Sequence, residues 1–168
     1  MASEVHHIRL MPFSRSLLLL TLLAFPACAS TDFQGVVIRI ADGDTITVLH
    51  ENVPERIRLW GIDSPEKKQD FGTRAKQFTG DLAFQKTVTV RVKDHDRYGR
   101  TVAEIMLPDG GNLNKEILNA GMAWVFRRYC HDQTYYHLES EAKEQRIGLW
   151  SQPHPTAPWD FRKTVLMQ

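Results

Sequence analysis

Apolar residues recur along this chain with two periods, and the switches between them divide it into elements. Residues 33–40, FQGVVIRI, are rich in β-branched side chains and predict a strand that ends at the turn chemistry of Asp42-Gly43. Residues 45–49, TITVL, predict its hairpin partner, with Ile46 and Val48 on one face and Thr45, Thr47 and Leu49 on the other. After a loop, strict alternation puts Ile57 and Leu59 towards a core and Arg56, Arg58 and Trp60 opposite. Phe71, Ala75, Phe78 and Leu82 then recur at spacings of three and four, which predicts a helix over residues 70–84. Residues 87–92 alternate again, and the next strand is expected to begin around Arg97 and run to Leu107. Asn112 or Asn114 caps a helix that stops at Gly121, residues 123–129 read as a short extended run, and residues 134–145 as a further helix ended by Gly148. Pro153, Pro155 and Pro158 make residues 151–162 an extended tail that packs Trp150, Trp159 and Phe161 over the body.

This amounts to one α+β domain over residues 30–150, with residues 151–168 as its tail. The first 29 residues have the three-part form of an export signal: Arg9 and Arg15, an apolar stretch over residues 17–25, and the small residues Ala27-Cys28-Ala29. The chain is therefore expected to be exported, to the periplasm or outside a bacterial cell. Lipidation at Cys28 is the alternative and the only expected route to a membrane. Met11 competes with Met1 as the start. Cleavage after Ala29 leaves Cys130 with no intramolecular disulfide partner.

Composition is that of an ordinary globular protein, 42% hydrophobic and 24% charged, with a net charge of +1. The leader carries two arginines and one glutamate, so the remaining chain holds 19 basic and 19 acidic residues. Any binding of nucleic acid must then rest on a local basic patch, because the overall field is close to neutral.

The chemistry concentrates in residues 41–66, ADGDTITVLHENVPERIRLWGIDSPE. Carboxylates at the Asp42-Gly43-Asp44 turn and in Asp63-Ser64-Pro65-Glu66 flank an arginine-bearing strand, a density that suits a hard cation and a phosphate. Asp42 and Asp44 read equally well as turn formers. Pro65 holds Ser64 extended and so separates Asp63 from Glu66. Arg100, which follows Gly99 at the head of an apolar strand, reads either as surface or as a phosphate ligand. His131 and His137 have no convincing ligand spacing.

Five segments, in order, then resemble the staphylococcal nuclease (thermonuclease) family: DGDT at 42–45, IRLWGIDSPE at 57–66, DRYGR at 96–100, LNKEILNAGMA at 113–123 and SEAKEQRIGLW at 140–150. The proline-rich tail with PWDFR at 158–162 is similar to that of exported bacterial members. The resemblance implies a five-stranded Greek-key barrel of the oligonucleotide-binding type with three helices. It also implies Ca²⁺-dependent, sugar-unspecific hydrolysis of phosphodiester bonds in single-stranded or locally melted DNA and RNA, by a monomer. Matched position by position, Asp44, Asp63 and the Ser64 carbonyl are metal ligands, and Arg58, Glu66 and Arg100 are catalytic. Glu66 activates the attacking water, and the two arginines stabilise the transition state. Arg97, Tyr98, Arg127 and Tyr129 match the substrate-binding segments, although Arg127 replaces a tyrosine and Arg97 a lysine. On this reading Asp42 is the turn former and Arg56 the solvated neighbour of Arg58. The alternatives are a non-catalytic nucleic-acid-binding barrel, which the complete set Arg58, Glu66 and Arg100 argues against, and an envelope-associated interaction protein.

Overall fold

The alternating segments close on one another into a barrel. In the computed structural model, which describes residues 32–167, the strands β1 (Phe33–Asp42), β2 (Thr45–His50), β3 (Val53–Leu59), β5 (Thr87–His95) and β6 (Thr101–Met106) are joined in the closed order β1-β2-β3-β6-β5. Four neighbour pairs are antiparallel and β3 runs parallel to β6, with Ile57 opposite Thr101 and Leu59 opposite Ala103. Among the described residues, closure leaves the barrel itself without an open edge. Inward positions carry Val37, Ile46, Val48, Ile57, Leu59, Val90, Ala103 and Ile105, all essentially without solvent exposure, which is the face assignment expected for Ile46, Val48, Ile57 and Leu59. The leader, Cys28 and both candidate starts lie outside the described residues. Among the described residues, no helix is long and apolar enough to cross a membrane.

Past Leu59 the chain leaves the barrel. Gly61, at φ 78°, turns it into β4 (Ile62–Asp63), which pairs with β7 (Trp124–Val125) in a separate two-stranded sheet. Three helices pack around this junction: α1 (Gly72–Ala83), α2 (Leu113–Asn119) and α3 (Gln133–Glu144). Asn112, not Asn114, caps α2, accepting from the N–H groups of Asn114 and Lys115. Asn114 is instead fully buried: its Oδ1 accepts from the Ile105 N–H at 3.1 Å, and its Nδ2 donates to the Trp60 and Ala103 carbonyls at 2.9 and 3.2 Å. Those backbone groups thus gain partners where the ladder gives way to α2. In α3 the buried Glu139 accepts from the Val125 N–H at 2.9 Å, from Arg127 at 2.6 Å and from Lys143 at 2.7 Å, so β7 is tied to the helix behind it.

Four expectations change. The tail is not extended throughout: Pro158–Leu166 form a fourth helix, α4, so the described chain has four α-helices where three were expected. Pro158 stands in its first turn, where proline's fixed φ is helical and its missing N–H costs no bond. The strand expected from Arg97 begins at Thr101, because the Asp96 carboxylate accepts from the N–H groups of Tyr98 and Arg100 and holds the intervening residues in a turn. The extended run at 123–129 is reduced to Trp124–Val125. In α1 the expected Phe78 and Leu82 pack, partly buried, against the core, but the fully buried positions are Gly72, Ala75, Thr79 and Ala83, the small side chains on the side nearest the β1–β2 turn. Thr79 Oγ1 donates to the Gly43 carbonyl at 2.7 Å across that contact.

Gly121 has φ 63°, and a Cβ there would overlap the Ile147 carbonyl oxygen; its own carbonyl accepts from the Leu149 N–H at 2.9 Å. Gly121→Ala is therefore expected to lower stability by at least about 2 kcal/mol in denaturant titration. A change within about 0.5 kcal/mol, the range of ordinary surface substitutions, would show that α2 and the segment after α3 do not pack this closely.

Candidate active site

The barrel mouth assembles the acidic residues around one arginine. Thr45 pairs with Arg58 across β2 and β3, and the Leu59 N–H bonds the Asp44 carbonyl at 2.8 Å, so the β1–β2 turn lies beside the end of β3. Arg58 Nη1 donates to the Leu59 and Ile62 carbonyls at 2.9 and 2.8 Å, which fixes the guanidinium under the bend into β4. Its Nη2 meets Asp63 Oδ1 at 2.9 Å and Asp44 Oδ2 at 3.1 Å. One nitrogen thus bridges two carboxylates, from side chains only 14%, 8% and 3% exposed for Arg58, Asp44 and Asp63. The Ser64 N–H adds a 2.6 Å bond to Asp44 Oδ2, and Thr45 Oγ1 a 3.1 Å bond to Oδ1. Asp42 accepts from the Asp44 N–H within the turn, as a turn former does. Arg56 is exposed.

Small residues make this convergence possible. A Cβ on Gly43 would lie 2.7 Å from Ser64 Cβ and 2.8 Å from both Ser64 Oγ and Ala75 Cβ. Burial pushes the Asp44 carboxyl up to about 6, against the lowering pull of Arg58. Burial likewise raises Asp63, opposed by its hydrogen bond from Arg162. Two carboxylates that hold their protons this firmly are short of positive charge. The donors available are two carboxylates and the Ser64 carbonyl, all hard oxygens; among the described residues no group of three His, Cys, Asp or Glu side chains is placed to hold a metal. That donor set fits a Ca²⁺-like cation that completes its shell with water and substrate oxygens, and does not fit zinc. Ser64 Oγ, buried beside them without a hydrogen-bond partner, is a further oxygen at this place.

Glu66 follows on the loop before α1, anchored by its N–H to Gln69 Oε1 at 3.1 Å and by its carbonyl to the Gln69 N–H at 2.8 Å. Its carboxylate is reached by a residue that sequence reasoning passed over. Arg162 of α4 donates from Nη1 to Glu66 Oε1 at 2.7 Å and to Asp63 Oδ1 at 3.3 Å, and from Nη2 to Asp63 Oδ2 at 2.7 Å. The Asp63 hydrogen bond, followed by that of Glu66, raises Arg162 above even the usual arginine range. The one local signal was the start of PWDFR: proline in a first helical turn with Asp160 two residues on reads as a helix beginning.

The side chains of the other expected residues have partners outside this centre. Arg100 Nε donates to Asp96 Oδ2 at 2.7 Å, within the turn that Asp96 organises. Partial burial of Asp96 is outweighed by the N–H groups and guanidinium of Arg100, which lower its carboxyl below the usual range. Arg97 donates to the Tyr98 hydroxyl at 2.7 Å and lies over the Tyr98 ring, which is largely exposed. Arg127 pairs with the buried Glu139 and stacks on Tyr136, 4.9 Å from its centroid, so a structural task already engages it. Tyr129 is exposed and packs edge-on to Phe126. Cys130 is buried, which raises its thiol. His137 pairs with Glu141 one helical turn on.

Known proteins are similar to this chain over most of its length. The family model described as staphylococcal nuclease homologue matches residues 56–152. A protein of Escherichia coli O157:H7 named an uncharacterized endonuclease is 42% identical over 145 residues, 86% of this chain and 94% of its own length. The micrococcal nuclease of Shigella flexneri is 44% identical over 152 residues, 84% of this chain and 86% of its own. The staphylococcal-like nuclease CAN1 of Arabidopsis thaliana is 38% identical over 108 residues, 64% of this chain and 33% of its own.

The Asp44 shift has a consequence for stability. A carboxyl near 6 in the folded chain and near 3.8 in the unfolded one destabilises the fold as pH rises through that window. Below it both states are protonated and nothing is lost; above it the loss is complete. With divalent cations chelated, Asp44→Asn is therefore expected to melt higher than the wild type above about pH 6 and at the same temperature near pH 4. A lower melting temperature above pH 6 would mean that the Arg58 pair outweighs burial.

Proposed function

The chain belongs to the staphylococcal nuclease homologue family, and from that premise we infer that it is a nuclease, a hydrolase of phosphodiester bonds in nucleic acids. We further propose that it is Ca²⁺-dependent and sugar-unspecific, cutting DNA and RNA where they are single-stranded or locally melted. The observation that carries this reading is the convergence of Asp44, Asp63 and Arg58 at the barrel mouth, with Glu66 three residues beyond Asp63.

Asp44, Asp63 and the Ser64 carbonyl would hold the cation, which when bound supplies Lewis-acid stabilisation and offsets the phosphate charge. Arg58 faces the same place with a planar fork already oriented by two carbonyls, and a phosphate oxygen can replace a carboxylate oxygen on its Nη2. Glu66, half-exposed and on a loop pinned by Gln69, takes the proton of the water that attacks phosphorus in line with the leaving oxygen. Arg100 must exchange its Asp96 partner for the phosphate, on which it stabilises the added charge of the five-coordinate transition state. Tyr98, Arg97 and Tyr129 offer exposed rings and a cation along which bases and backbone can lie. Arg127, held by Glu139, contributes there only through what Glu139 leaves of its fork. Export rests on the leader pattern of the first 29 residues.

The purified mature chain is expected to degrade denatured DNA and RNA, to stop when a chelator is added in excess and to resume when Ca²⁺ is restored. Glu66→Gln and Arg100→Ala are each expected to lower kcat by about 10²-fold or more while melting close to the wild type. Full activity in either variant would overturn its assignment, and no cleavage by the wild type under any of these conditions would falsify the nuclease reading.

A further inference from the structure

The Arg162 contacts are not explained by any of the roles above. They bring a residue near the end of the chain onto Asp63 and Glu66, 99 and 96 positions earlier, and they saturate the outer side of Asp63. A divalent cation and this guanidinium seek the same lone pairs, so they compete for Asp63. The competitor is built to let go. Arg162 is 42% exposed, and in α4 only Pro158 is buried. Its inward side chains are the partly buried Phe161 and Trp159, the latter edge-on to Trp124 at 5.7 Å and stacked with Phe126 at 6.3 Å, while Val165, Leu166 and Met167 are exposed.

Charge counting gives the exchange a direction. Asp44, Asp63 and Glu66 stand against Arg58 and Arg162 in direct contact, which leaves one net negative charge. Adding a divalent cation makes the centre positive by one, the complement of a single phosphodiester. Without Arg162 the same centre would hold two net negative charges, would take the cation more readily, and would then be neutral towards phosphate. A guanidinium displaced from Asp63 but still tethered by α4 also presents a fork suited to phosphate oxygens.

We propose that Arg162 is a third arginine of this site, exchanging between the Asp63–Glu66 pair and the substrate phosphate, so that cation and nucleic acid bind cooperatively. The proposal rests on the metal-dependent reading above. Its equilibrium signature is a coupling: phosphate ligand tightens cation binding, and cation tightens phosphate binding, by the same factor.

The test is calorimetric titration of the full mature chain with Ca²⁺, alone and with deoxyadenosine 5′-monophosphate present, for the wild type, Arg162→Ala and Arg162→Lys. Thermal melts confirm that each is folded. Arg162→Ala is expected to bind Ca²⁺ alone about threefold to tenfold more tightly, the effect of removing a partly screened contact charge, and to lose most of the tightening that the nucleotide gives. Arg162→Lys keeps the charge, and is expected to hold Ca²⁺ affinity within about twofold while weakening the coupling. Unchanged or weaker Ca²⁺ binding in Arg162→Ala, with wild-type binding intact, overturns this proposal alone and makes Arg162 a strut. A lysine variant that behaves like the alanine variant overturns the charge argument. Failure of the folded wild type to take up Ca²⁺ overturns both this proposal and the metal-dependent reading beneath it.

Discussion

Everything at the barrel mouth depends on one nitrogen, Arg58 Nη2, standing between two buried carboxylates. Asp44 and Asp63 come from a turn and from a strand outside the barrel, and with so little solvent around them they would repel each other strongly. The guanidinium makes their proximity tolerable without making it comfortable, as the raised Asp44 and Asp63 carboxyls show. The cost falls on the fold, and the surrounding structure is arranged to carry it. Gly43 and Ala75 leave room, Thr79 ties α1 to the turn, and the Ser64 N–H adds a charge-assisted bond to Asp44.

That strain needs a stiff support, and buried polar groups provide it at the joints. Asn114 holds the exit of β3 to β6 and α2, and Glu139 holds β7, on which β4 and therefore Asp63 are registered. Hydrophobic packing alone does not fix register at two-residue strands; a side chain that must satisfy a specific N–H does. Glu104 extends the same device on the barrel wall. Its burial is outweighed by hydrogen bonds from Lys93 and Tyr135, so its carboxyl stays ionised below the usual range.

What was legible in the sequence follows from the range of each interaction. Alternation exposed the barrel strands and the inward faces of β2 and β3, because sheet periodicity is written into consecutive residues. The acidic turn, Arg58 and Glu66 were legible for a related reason: they lie within a stretch of 26 residues folded back on itself. The face of α1 was legible only in part: Phe78 and Leu82 pack on the core as their spacing indicates, but the close approach to Gly43 puts the small residues Ala75 and Thr79 deepest. Asp96 was a second blind spot. A turn that captures its own arginine looks, in one dimension, like a basic strand head. Arg162 was the third, because three prolines made the tail look extended and no local pattern reports a partner 96 positions away.

The low burial of α4 is itself a physical argument about the task of Arg162. A charge that must hold buried carboxylates together, whatever else it does, is best carried by the scaffold, as that of Arg58 is, with two carbonyls orienting it and little solvent around it. Arg162 reaches the same Asp63 from a helix that buries little of its own surface, where local opening costs least. The two arginines therefore divide one electrostatic requirement between a fixed charge and a movable one. The fixed charge keeps the barrel mouth assembled whether or not a ligand is present. The movable charge can then turn to the ligand, since Asp63 keeps Arg58 when the Arg162 guanidinium leaves, and the side-chain freedom regained offsets part of the contacts given up.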